Sequence, residues 1–231
     1  MSDLVIAAPP QPTVAIAGST DRFPVRRIYC VGRNYAEHAR EFGNDPDKEP
    51  PFFFTKPGNA VVDDQAEVAY PPATENLHFE GELVVAIGTG GANISAEAAL
   101  DHAWGYAAGN DLTRRDLQAE AKSMRRPWDL SKGFDESAPC GALVRVADSD
   151  AASGKIEVRV NGEVKQSADL SDMIWAVPQI IAFLSASVVL APGDLIYTGT
   201  PAGVGALVPG DLCEVSIEGI GSVATRILHP T

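Results

Sequence analysis

The chain has 231 residues, 45% of them hydrophobic, with 18 basic against 31 acidic side chains and a net charge of −13. That length suits one sizeable domain with a real core, and an acidic chain without a basic stripe excludes nucleic acid as the expected partner. Cys30, Cys140 and Cys213 are far apart and odd in number. They outline neither a disulfide framework nor a zinc site, so a cytoplasmic location is expected, with no membrane span.

In chain order, Met1 to Gly18 lacks a basic start and is broken by Pro9, Pro10 and Pro12. Residues 1–22 read as a lead-in of short strands rather than a signal peptide, and residues 23–231 as a single domain. Arg27 to Val31 reads as a strand ending in Gly32. Tyr35 to Glu41 has helical character, and His38 and Glu41, spaced i, i+3, touch on a helix. Such a pair is either a casual surface contact or an imidazole oriented as a general base. Phe42 to Pro51 is polar and proline-rich, a loop suited to act as a lid. Pro51 to Lys56 holds three consecutive phenylalanines in a strand-like run.

Glu80-Gly81-Glu82 follows, at the head of the apolar run Leu83 to Ile87. On a strand, side chains i and i+2 share a face. Two like charges side by side are tolerated best with a cation between them, or with one carboxyl protonated. A hard divalent ion asks for such oxygen ligands, although a chain with 31 acids also produces this pattern by chance on a solvated edge.

Ser95 to Trp104 opens on an N-cap serine and reads as a helix. A glycine-rich apolar strand then runs into Asn110-Asp111, where a helix over Asp111 to Ser123 is expected. Asp111 is either its N-cap or a third carboxylate ligand. Arg115 and Gln118 lie four and seven residues beyond it, on one helical face. Lys132 reads locally as a solvated lysine. Ile156 to Val160, Asn161-Gly162 and Glu163 to Gln166 form a hairpin with a strong turn signal. Ser171 to Ser185 has helical period, with a break expected at Pro178. Asp194 to Thr198, Leu212 to Glu218 and Ser222 to Leu228 read as strands. Thr198 to Gly205 is a rigid glycine and proline loop, either a structural turn or a backbone surface close to a ligand. Strands outnumber helices and alternate with them only loosely, so the expected class is α+β, β-rich, on a mixed or antiparallel sheet.

Taken together and in order, these stretches resemble the fumarylacetoacetate hydrolase family. The resemblance is carried by Cys30-Val31-Gly32-Arg33-Asn34-Tyr35 with His38, Phe53 to Pro57, Glu80-Gly81-Glu82, and Gly109-Asn110-Asp111 with Arg115, Asp116 and Gln118. It continues through Ser131-Lys132-Gly133-Phe134, Val160-Asn161-Gly162 and Pro192-Gly193-Asp194 to the Thr198–Gly205 loop. The nearest likeness is to the short acylpyruvate hydrolases, including those of gentisate breakdown that act on fumarylpyruvate.

The resemblance implies a mixed β-sandwich roll, forming a homodimer. It implies Mg²⁺ or Mn²⁺, one ion per subunit, held by Glu80, Glu82 and Asp111. It assigns water activation to His38 and Glu41, and charge stabilisation and substrate binding to Lys132, Arg115 and Gln118. Thr200 would meet the pyruvyl carboxylate, and Arg33 a second carboxylate. The implied activity is hydrolysis of a C–C bond in a 2,4-dioxo acid, yielding pyruvate and, from fumarylpyruvate, fumarate. Two alternatives share the site: decarboxylation of oxaloacetate, and isomerisation or decarboxylation of 2-hydroxyhepta-2,4-diene-1,7-dioate. A non-catalytic binding protein is the remaining one.

Overall fold

The computed structural model describes residues 4–36 and 50–230. Two sheets carry the fold. A six-stranded sheet has the spatial order Val144–Arg145, Ala103–Asn110, Gly81–Ile87, Asp194–Tyr197, Arg27–Gly32, Phe52–Lys56. Its neighbours are antiparallel except Asp194–Tyr197 beside Arg27–Gly32, which run parallel. A five-stranded sheet has the order Glu163–Asp169, Lys155–Val160, Leu212–Ile217, Gly221–Leu228, Ala66–Ala69, with only the last pair parallel. The expected β-rich α+β architecture on mixed sheets is thus observed.

The run Leu83 to Ile87 is apolar at every position because its sheet is buried on both faces. Leu83, Val85 and Ile87 pack into the core shared with Ile156, Val158, Val215 and Val223 of the other sheet. Val84 and Ala86 point the opposite way, into a second core with Ile28, Cys30, Leu195 and Tyr197. Strand parity places Glu82 on the Val84 face, at the end of the strand. Gly81 sits where the two sheets come closest: a Cβ there would lie 2.3 Å from Val158 Cγ2 and 3.1 Å from Val215 Cγ1.

The hairpin forms as expected, with strands Lys155–Val160 and Glu163–Asp169 joined by Asn161 at φ 52° and Gly162 at φ 82°. Those left-handed values are what the Asn-Gly turn supplies. The helices depart from expectation in three places. Ser95 to Trp104 is not one helix: a 3₁₀ turn spans Ala99–His102, and Ala103 and Trp104 already belong to the strand Ala103–Asn110. The long ladder against Gly81–Ile87 outweighs a weak helical preference. The helix expected from Asp111 begins later, as α1 (Arg115–Met124), after Thr113–Arg114 pairs with Leu77–Phe79. A short α2 (Asp129–Lys132) follows. Pro178 does not break a helix but sits in the first turn of α3 (Val177–Ser187), where its missing N–H costs nothing. The stretch before it holds a 3₁₀ turn, Leu170–Asp172.

Near the N-terminus, Thr13–Ala15 pairs antiparallel with Arg22–Pro24. All three cysteines are buried and free. Among the described residues no helix is long and apolar enough to cross a membrane.

Candidate active site

Three buried carboxylates converge. Glu80, Glu82 and Asp111 each present an oxygen within 4.8 Å of the others. Glu80 and Glu82 come from the start of the Gly81–Ile87 strand, and Asp111 from just beyond the end of its neighbour. The two backbones are tied where they meet. Asp111 N–H donates to Glu80 O at 2.8 Å, and Glu80 N–H donates to Asn110 Oδ1 at 3.0 Å. Gly81 N–H donates to Gln166 Oε1 at 3.0 Å, and Gln166 in turn donates to Thr200 Oγ1 at 2.8 Å. Asp111 is therefore not a helix cap: it precedes α1 in extended chain and is freed for the cluster.

Cations surround the carboxylates. Lys132, only 1% exposed, places Nζ 2.7 Å from Glu80 Oε2 and 2.7 Å from Asp111 Oδ2. Arg115 lies 2.5 Å from Glu80 Oε1 and holds Gln118 Oε1 at 2.8 Å, one turn along α1. Lys56 Nζ is 2.8 Å from Asp111 Oδ1, an ion pair without hydrogen-bond alignment, since that oxygen has no hydrogen-bond donor among the described residues. Lys56 instead donates to the carbonyls of Leu112, at 3.0 Å, and Lys132, at 2.5 Å.

Glu82 is the exception. It accepts one N–H, from Gly199 at 2.7 Å, and no cation among the described residues pairs with it directly. Burial first, then the charges of Asp111 and Glu80, push its carboxyl well above the usual range. Lys132 moves the other way for a buried amine. Burial alone lowers it, but Asp111 and Glu80 outweigh that and hold it above its ordinary value.

A narrow cavity, about 30 Å³, sits over this cluster. Its lining includes Glu80, Glu82, Arg115, Gln118, Lys132, Thr200 and Arg33. Seven of the residues singled out from sequence thus line one cavity, and Asp111 joins them through Lys132 and the carboxylate cluster. His38 and Glu41 lie outside the described residues, as does most of the Phe42 to Pro51 loop.

Sequence reasoning missed Lys56, Lys122 and Gln166. Lys56 closes the strand Phe52–Lys56, where a lysine after three phenylalanines reads as a solvated end. Lys122 carries a readable signal: it follows Arg115 and Gln118 at i+7 and i+4, on the same helical face. Nothing local distinguishes Gln166 within its hairpin strand.

The donor set fits a divalent cation. All three groups are hard oxygen ligands, and among the described residues Asp111 keeps an oxygen that no hydrogen bond satisfies and Glu82 has no counter-ion.

The sequence model of the family described as "Fumarylacetoacetate (FAA) hydrolase C-terminal" matches residues 27–228. The chain belongs to the fumarylacetoacetate hydrolase family. It is 46% identical over 183 residues to a fumarylpyruvate hydrolase of Ralstonia sp, covering 79% of this chain and 95% of that protein. It is 39% identical to the human mitochondrial oxaloacetate tautomerase, over 89% of this chain and 93% of that one. The crystal structure of fumarylpyruvate hydrolase from Pseudomonas aeruginosa in complex with Mn²⁺ and pyruvate superposes with a TM-score of 0.96 at 46% identity, covering 98% of this chain and 100% of that chain.

Proposed function

We propose that the protein is a divalent-metal-dependent acylpyruvate hydrolase of the cytoplasm that cleaves fumarylpyruvate to fumarate and pyruvate and acts as a homodimer. The observation that carries this reading is the convergence of three buried carboxylates with Lys132 and Arg115 beneath one narrow cavity.

Glu80, Glu82 and Asp111 would hold Mg²⁺ or Mn²⁺, which share ligand preference. When bound, such an ion supplies a Lewis acid and carries the charge of the departing enolate. Arg115 and Gln118, already joined to each other, present donors to the pyruvyl carboxylate, and Thr200 completes that contact from the opposite loop. His38, oriented by Glu41, takes a proton from water, and the resulting hydroxide attacks the C4 carbonyl. Lys132 is cationic and buried, so its ammonium steadies the oxyanion that forms there. Cleavage of the C3–C4 bond then releases fumarate and the enolate of pyruvate, which takes at C3 the proton held by His38 to give pyruvate.

A second reading has support from the human relative. Tautomerisation of oxaloacetate also needs a bound 2-oxo acid and a stabilised enolate, but no attacking water. The purified protein should be assayed with Mg²⁺ or Mn²⁺ against fumarylpyruvate, maleylpyruvate, acetylpyruvate and oxaloacetate. Hydrolysis requires the highest kcat/KM on fumarylpyruvate and its loss in His38→Ala. Oxaloacetate enol–keto conversion that survives His38→Ala, with no acylpyruvate cleavage in the parent, would replace the hydrolase reading by the tautomerase one.

A further inference from the structure

A second, wider cavity of about 670 Å³ lies outside the narrow one and shares Arg33, Phe52, Phe54 and Trp128 with it. Its inner wall is aromatic. Trp128 meets Phe52 edge-on, with centroids 5.4 Å apart and planes at 83°, and lies 5.6 Å from Phe54. Two cations stand on these rings. Lys122 Nζ is 5.0 Å from the Trp128 centroid, and the Arg33 guanidinium is 5.3 Å from that of Phe52.

We propose that Lys122 and Arg33 recognise the far carboxylate of the substrate, while Phe52, Phe54 and Trp128 flank the flat unsaturated chain leading to it. This rests on the acylpyruvate reading and names the groups that would select a dicarboxylic substrate over a monocarboxylic one.

Four observations support the assignment. On α1, Arg115, Gln118 and Lys122 occupy i, i+3 and i+7, so one helical face carries donors from the carboxylate cluster outward to the rim. Arg115 and Lys122 are separated by roughly 10 Å along the helix axis, a span on the scale of an extended dicarboxylic acid of this class. Arg33 adopts φ 59°, a left-handed backbone that a non-glycine residue takes only at a cost, and its guanidinium lies against the Phe52 ring in the lining of the wider cavity. Gly32 before it is needed for closeness: a Cβ there would fall 2.0 Å from the Phe52 ring. Finally, the cations crowd one another. Lys122 is lowered to about 8, by desolvation first and then by the charges of Arg115 and Arg33. The aromatic faces beside them leave room for a conjugated chain that ends in a carboxylate.

The test compares kcat/KM for fumarylpyruvate, which has the far carboxylate, with that for acetylpyruvate, which lacks it. In Lys122→Gln the ratio should fall about tenfold, the scale of one charge-assisted contact. Lys122→Arg should restore it, and Arg33→Gln added to Lys122→Gln should lower it further. A ratio unmoved in Lys122→Gln and in the double variant, with thermal melting as in the parent, overturns the proposal.

If the parent cleaves neither acylpyruvate, the hydrolase reading fails. Equilibrium binding to the Mn²⁺-loaded protein then decides the anion site separately. The parent should bind 2-oxoheptanedioate more tightly than 2-oxoheptanoate, by a margin that shrinks with added salt and vanishes in Lys122→Gln. Equal binding of the two acids by the parent, or a margin that Lys122→Gln leaves intact, overturns the proposal.

Discussion

Lys56 shows how a single side chain can underwrite a site it does not enter. It is 2% exposed, reaches the carbonyls of Leu112 and Lys132, and faces Asp111 Oδ1. It thereby fixes both the turn that carries Asp111 and the end of α2 that carries Lys132. Lys56→Met should destabilise the protein by about 3–5 kcal/mol, because it leaves a buried carboxylate oxygen and two carbonyls unpaired. Urea unfolding of the metal-free protein measures this, and a loss under about 1 kcal/mol would show that the site relaxes around the change. At this scale the sequence was informative where geometry is local. Glu80 with Glu82, and Arg115 with Gln118, share faces through spacings of two and three residues. Lys56 and Asp111 are far apart in sequence, and their strands are separated by three others in the sheet, so they meet only through the folded chain. No spacing encodes that.

At the scale of elements, the strand Leu77–Phe79 carries a titratable group with a readable consequence. His78 is lowered to about 4, first by burial and then by the nearby Arg115 charge. Its Nδ1 is buried with no hydrogen-bond partner among the described residues. The unfolded chain, with histidine near 6.5, takes up the proton first as pH falls. The stability tied to neutral His78 is therefore complete above pH 6.5 and is lost progressively toward pH 4. His78→Gln should flatten that part of the acid limb relative to the parent, measured as the difference in Tm between the two across this range. Parallel curves would remove His78 as a source of the acid dependence. Elements also show why some of the fold was hidden. The Asn-Gly hairpin and the apolar strands are written in consecutive residues. The Ser95 to Trp104 segment departs from the expected helix because its fate depends on a partner strand, with Ala103 and Trp104 belonging to the strand Ala103–Asn110.

For the molecule as a whole, the cluster sets stability against binding. A buried carboxylate without a counter-ion costs free energy, and Glu82 is in that position among the described residues. In the presence of EDTA, Glu82→Gln should therefore melt at or above the parent temperature. With Mn²⁺ at about a hundred times its Kd, the parent should gain about 2.7 kcal/mol, or roughly 5–10 °C in Tm for a chain of this size. Glu82→Gln should lose most of that gain. Equal metal-induced shifts in the two proteins would remove Glu82 from the ligand set.

The glycine between the two glutamates belongs to a different ledger. Val158 and Val215 of the opposite sheet leave no space for a methyl group at position 81. The tripeptide is thus the overlap of two independent requirements, the outer letters set by ion chemistry and the middle one by the distance between two β-layers. Selection for abundance alone would guard Gly81 and release its neighbours, while selection for turnover would guard all three. A Glu-x-Glu transplanted onto a sheet with solvent behind it has no need of the glycine. The same tripeptide is therefore evidence about ligands and, separately, about what lies behind the strand.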